Sequence, residues 1–175
     1  MAMIDAMLAE LEQESQATRR LLERVPEDRM SWRPHPRSSS LGQIALHVAS
    51  LPGGISSMAD QDSFQLPVFE QPEATSRAEL LEALEQGIAT ARERLGRMSD
   101  ERLAGTWTLE DTGEVLMRIP RVALLRSLML NHWYHHRGQL TVYLRLLDVP
   151  LPSTYGPTAD VNPFAREARA AAGVY

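Results

Sequence analysis

Five histidines, His35, His47, His132, His135 and His136, carry most of the metal-binding potential of a chain that contains no cysteine. Three of them, His132, His135 and His136, sit close together in one segment. In an α-helix, residues four apart project in parallel about one turn apart. His132 and His136 can therefore turn ring nitrogens onto one divalent cation, the geometry that HExxH helices use for zinc. His132 and His135, three apart, have the same option. Either pair needs a third ligand from elsewhere. His47 is the natural candidate, because it lies beside Ile44 and Leu51 on the inward face of another helical segment. His35, in a proline-rich loop, is a weaker one. The ordinary alternative is a set of hydrogen-bonded core histidines, since HxxxH alone matches many helices by chance. Against it stands a cost: each buried ring needs a partner for its polar atoms, and a shared cation meets several of those needs at once. Gln139 falls on the same side and can orient a ligand or a bound water.

Composition removes much of the competing chemistry. Without cysteine there is no disulfide framework, thiolate zinc site, iron–sulfur cluster or cysteine nucleophile. All 18 basic residues are arginine, which removes Schiff-base chemistry and a P-loop lysine. The net charge of -5 argues against a surface that tracks phosphates. The best apolar stretch, 122–130, is interrupted by Arg126 and is too short to span a bilayer. The first ten residues carry Asp5 and Glu10 and lack a basic-then-apolar leader. The expectation is a cytoplasmic protein that binds neither nucleic acid nor membrane. No general base stands out: Asp111 and Glu114 fall in an expected hairpin and read as solvated, so no catalytic residue is assigned.

The elements that must position the histidines are helices. Length and mass, 175 residues and 19.6 kDa, suit one domain, 1–175, with 165–175 as a short terminal helix or a frayed tail. Apolar residues recur at helical spacing over roughly 3–24, from Ser40 to Leu51, from Ser76 to Met98, and from Pro120 to Leu147. Ser40 with Gln43, and Ser76 with Glu79, read as capping boxes. Pro52-Gly53-Gly54 is expected to end or kink the second helix. Residues 61–74 read as a loop, and Asp111-Thr112-Gly113 as the turn of a small hairpin before the last helix. Four such helices argue for an all-α bundle.

Projected at about 100° per residue, His132, His135 and His136 all fall in the core-facing arc with Leu125, Leu128 and Met129. Arg126, Arg137 and Thr141 fall outside it, and Trp133 and Tyr134 lie off the centre line, suited to a dimer face. Arg137 reads as a surface ion pair and Trp32 as a plug at a loop–helix junction. Tyr155-Gly156-Pro157 either covers the mouth of the site or packs the end of the bundle.

The block His132-Trp133-Tyr134-His135-His136-Arg137-Gly138-Gln139-Leu140, followed by Leu144-Arg145 and Pro152-Ser153-Thr154-Tyr155-Gly156-Pro157, resembles the DinB/YfiT-like family of metalloenzymes. Trp32-Arg33-Pro34 and the segment Ser40 to His47 resemble that family's first ligand region. The resemblance implies a four-helix bundle in up-down-down-up order, commonly a homodimer. It implies a divalent metal, nickel or zinc most often, on His47, His132 and His136, with His135 at a position that is usually not a ligand. It further implies transfer of low-molecular-weight thiols or isomerisation of thiol adducts. With three histidines leaving coordination positions open, the leading reading is a metal-dependent hydrolase or thiol transferase, and the alternative is a non-catalytic metal-binding homodimer with a structural or stress-sensing role. A three-imidazole site is expected to lose its metal below about pH 6, because free histidine titrates near 6.5.

Overall fold

The computed structural model describes residues 2–68 and 70–165. Helix α1 spans Met3–Leu22, α2 Leu41–Ala59, α3 Arg77–Leu95 and the short α4 Asp100–Ala104. The last helix, α5, runs without a break over 121–146. It is α-helical at Arg121–Leu124, a π-helix at Leu125–Asn131, and α-helical again at His132–Leu146. All four long helical segments read from periodicity are present. The expected terminal helix after residue 165 lies outside the described residues.

Ser40 caps α2 reciprocally: its hydroxyl accepts from the Gln43 N–H at 3.2 Å and its own N–H donates to the Gln43 side chain at 2.9 Å. The second box closes differently. Ser76 accepts from the Glu79 N–H at 3.2 Å, but the Glu79 carboxylate reaches past it to the Thr75 N–H.

The all-α expectation needs correction, because the fold is mostly helical with a small sheet of order β1-β2-β3. Strands β2, Thr106–Asp111, and β3, Glu114–Pro120, are the expected antiparallel hairpin. Its two turn residues, Thr112 at φ 47° and Gly113 at φ 92°, have the positive φ that a two-residue hairpin loop requires. Strand β1, Ser63–Gln65, lies inside the stretch read as loop and pairs parallel to β2. Its three residues are too few to show a period.

Pro52 neither ends nor breaks α2. Glycine explains part of this: a Cβ on Gly53 would sit 2.7 Å from Gly87 Cα, so α2 and α3 cross at backbone contact there. Arg121, 1% exposed, then pins the start of α5 to the end of α2. It donates to the carbonyls of Ala59, Arg102 and Gln61 and to Asp62. Among the described residues no helix is long and apolar enough to cross a membrane.

Candidate metal centre

His47 stands on α2, and His132 and His136 stand one turn apart on α5. Each offers one ring nitrogen to a group whose atoms all lie within 4.8 Å of one another. The ring centroids of His47 are 5.3 Å from His132 and 4.6 Å from His136. The three rings form part of the wall of a cavity of about 710 Å³. His135 is exposed on α5 and stays outside the group, with its ring packed beside His136 at 5.0 Å. His35 is not part of the group either; its Nδ1 accepts from the Arg37 N–H.

The expected arc of α5 is wrong beyond residue 131. Trp133 and Arg137, read as peripheral and surface, are 0% and 3% exposed, while His135 faces outward. The cause is the π segment. A π turn takes one extra residue, so it advances the helix phase by about 100°. The stripe set by Leu124, Leu125 and Met129 is continued by Trp133, Arg137, Leu140 and Leu144. The pair His132 and His136 is rotated to the edge of the core, where a cavity can form.

Hydrogen bonding sets the tautomers. Gln139 Oε1 lies 2.8 Å from His136 Nδ1. Accepting that proton leaves His136 Nε2 as a lone pair. His132 Nε2 faces it at 2.7 Å. Without a cation, His132 must then carry its proton on Nε2, which leaves its Nδ1 bare. That Nδ1 is buried and has no hydrogen-bond partner, and the Leu128 carbonyl beside the ring favours its protonated form. A divalent ion held by His132 and His136 would remove the conflict, because neither Nε2 would then need the shared proton and His132 could carry its own on Nδ1. With the Gln139 amide oriented as it stands, the donor set fits a cation better than it fits a neutral pair.

Burial, then the His136 and His132 rings beside it, pull the His47 imidazole down to about 4. Burial is also the first cause of the lowered values of His132 and His136. All three rings are therefore neutral at pH 7 and able to ligate. Depressed values mean that protons begin to compete later than at free histidine, near 6.5. Bound metal is thus expected to persist at about pH 6 and to leave as pH falls further toward the His47 value of about 4. Metal content after dialysis across that range checks this; complete release already at neutral pH contradicts it.

Sequence reasoning missed Glu70. It lines the cavity and is the one carboxylate among the described lining residues. The segment that carries it shows no periodicity, but it is tied to the start of α2. Gln43 Nε2 donates to the Gln71 carbonyl at 2.9 Å, and the Ser39 hydroxyl donates to the Gln71 side chain. Trp32 is half-buried with its ring edge against Tyr143 at 5.9 Å, and only Tyr143 of the two lines the cavity. Tyr155 does not line it; its hydroxyl donates to Glu14 at 2.7 Å. Asp111 and Glu114 sit at the hairpin turn, away from the cavity lining.

A family model described as the DinB family matches residues 1–163. The chain belongs to the DinB family. One relative of this DinB chain, the uncharacterized protein YrdA of Bacillus subtilis (strain 168), is 29% identical over 161 residues, which is 90% of each chain. Crystal structures of DinB-like proteins share the fold. One from Bacillus cereus ATCC 10987 superposes with a TM-score of 0.69 at 24% identity, covering 86% of this chain and 97% of that one. YjoA of Bacillus subtilis does so at 0.63 and 18% identity, covering 89% and 98%.

Proposed function

We propose that this DinB family chain is a cytoplasmic four-helix bundle, α1, α2, α3 and α5 in up-down-down-up order. In this reading it holds a divalent metal with His47, His132 and His136 and acts as a hydrolase or low-molecular-weight thiol transferase on a small molecule. The observation that carries the reading is the convergence of three neutral imidazoles from two helices on the wall of one cavity. Three protein ligands leave coordination positions open, and a divalent ion, nickel or zinc first, lowers the pKa of a water or thiol bound there toward neutrality.

The chain's own residues supply the rest. Gln139 holds the His136 ring in its ligating tautomer. With their lone pairs committed to ligation, the three imidazoles cannot take a proton. Glu70 can: it lines the same cavity, it is exposed to solvent, and it stands outside the 4.8 Å group of ligand atoms. It accepts the S–H or O–H proton of the nucleophile and passes it to water.

The test combines metal analysis with turnover. The purified protein is expected to hold about one metal ion per three-histidine site and to couple 2-mercaptoethanol to 1-chloro-2,4-dinitrobenzene in a metal-dependent way. The S–C bond forms, the C–Cl bond breaks, chloride leaves and the thiol proton goes to Glu70. Glu70→Gln is expected to keep its metal and to slow turnover by about a hundredfold, with rescue by added formate. Unchanged turnover in that variant removes Glu70 from the reaction. Loss of metal without loss of turnover removes the metal from it.

The competing reading, a non-catalytic metal-binding homodimer, has one observation on its side. Val142 and Leu146, one turn apart on α5, are 57% and 58% exposed, an apolar face suited to a second copy. It predicts that a chelator unfolds or dissociates the protein while no turnover is found.

A further inference from the structure

Proline has no N–H, so a proline inside a helix leaves the carbonyl four residues earlier without its donor. Pro52 leaves Val48 in that state, yet α2 is helical on both sides of it. Val48 is fully buried, where an unpaired carbonyl is costly. The missing donor is supplied from α5: Trp133 Nε1 donates to the Val48 carbonyl at 2.8 Å. Trp133 is itself 0% exposed. The bond ties the α2 backbone at the residue after His47 to the side chain of the residue after His132.

We infer that Trp133, through the acceptor that Pro52 exposes, is a positioning residue that sets the distance between His47 and the pair His132 and His136. The inference rests on the three-histidine reading above. Metal ligation tolerates errors of only about 0.2 Å in ligand distance, whereas packed helices shift past one another by about 1–2 Å in switching transitions. A directional bond beside the ligands resists such a slide, and apolar contact alone does not. Its acceptor is unusually free at this place, because any residue other than proline at position 52 would bring an N–H that competes for the Val48 carbonyl.

Two substitutions separate positioning from simple satisfaction of a buried carbonyl. Trp133→Phe keeps an aromatic ring and removes the donor. It is expected to weaken zinc binding by about 10–100-fold, the range for groups that orient metal ligands, and to lower thermal stability. Pro52→Ala gives Val48 a helical donor, so the double variant Pro52→Ala/Trp133→Phe is expected to regain stability while its zinc affinity stays low. The readouts are zinc titration against a chromophoric chelator and thermal unfolding of the metal-free protein. Should Trp133→Phe alone fail to fold, the double variant carries the test. Wild-type zinc affinity in the double variant, or in a folded Trp133→Phe, overturns the proposal. No zinc binding by the unmodified protein overturns the three-histidine reading itself, and the positioning role with it.

Discussion

His132→Ala is expected to abolish stoichiometric metal binding while leaving the fold nearly intact. Zinc fingers gain roughly 10–16 kcal/mol from four ligands, so one ligand is worth about 3 kcal/mol, or roughly a hundredfold in affinity. Two imidazoles, one on each helix, would then face competition from buffer and water. His132 meets both of the other rings, as His136 does, and it is the more informative of the two because its loss should cost the metal-free fold least. It faces His136 with its Nε2 at 2.7 Å and stands 5.3 Å from His47 between centroids. It is also the ring whose Nδ1 is buried without a partner, so its removal relieves a polar cost in the metal-free protein and little stability should be lost. His135→Ala is the matched control. That ring lies outside the ligand group, and metal content should stay near the unmodified level. Elemental analysis of both variants decides the matter. Stoichiometric metal in His132→Ala, or large loss in His135→Ala, would reassign the site.

The candidate pair His132 and His136 was legible in the sequence because i and i+4 geometry is local. It holds wherever the helix is regular, and 132–146 is regular. His47 was read on the inward face with Ile44 and Leu51. Those two are buried, but residue 47 itself is exposed and lines the cavity, a difference that depends on how α2 meets α5 and not on spacing within α2. The hairpin was legible from Asp111-Thr112-Gly113, whose turn chemistry is also local. What failed depended on phase carried over distance. Projection from Leu125 through the π segment to Arg137 accumulates an error of about one residue, and nothing in the spacing announces that segment. Pro52 misled for a different reason. Its cost to α2 is offset by a donor 85 residues away, a compensation that no local rule contains. Glu70 was invisible because loop carboxylates have no period; only the fold shows which of them lines a cavity.

Arg137 is where that phase error matters most for stability. The guanidinium donates to the Glu14 carboxylate at 2.5 Å, to the Glu14 carbonyl and Thr18 hydroxyl at 3.2 Å, and to the Tyr155 hydroxyl. It also lies 5.2 Å from the ring centroids of Tyr134 and Tyr155. The polar gap that Glu14, Ser15 and Thr18 leave in the buried stripe of α1 is thus partly filled by a residue of α5, with Tyr155 of the tail closing it. Both charges are nearly out of water, at 3% and 8% side-chain exposure. Removing one partner of such a pair costs about 3–5 kcal/mol, because the other charge is left buried. At roughly 2–4 °C per kcal/mol for a chain of this size, Arg137→Met should lower the melting temperature by about 10 °C. Glu14→Leu/Arg137→Met leaves no buried charge and should recover most of that loss, since apolar replacement of a buried ion pair is often neutral. Metal content should hold in both variants, because Gln139 and not Arg137 orients the neighbouring His136 ring. Release of the tail should follow instead, with faster proteolytic cleavage around Tyr155, whose phenol burial and the Glu14 carboxylate keep protonated as a donor. A single variant as stable as the unmodified protein would show that Glu14 finds water or another donor, and that the pair does not hold α1 to α5.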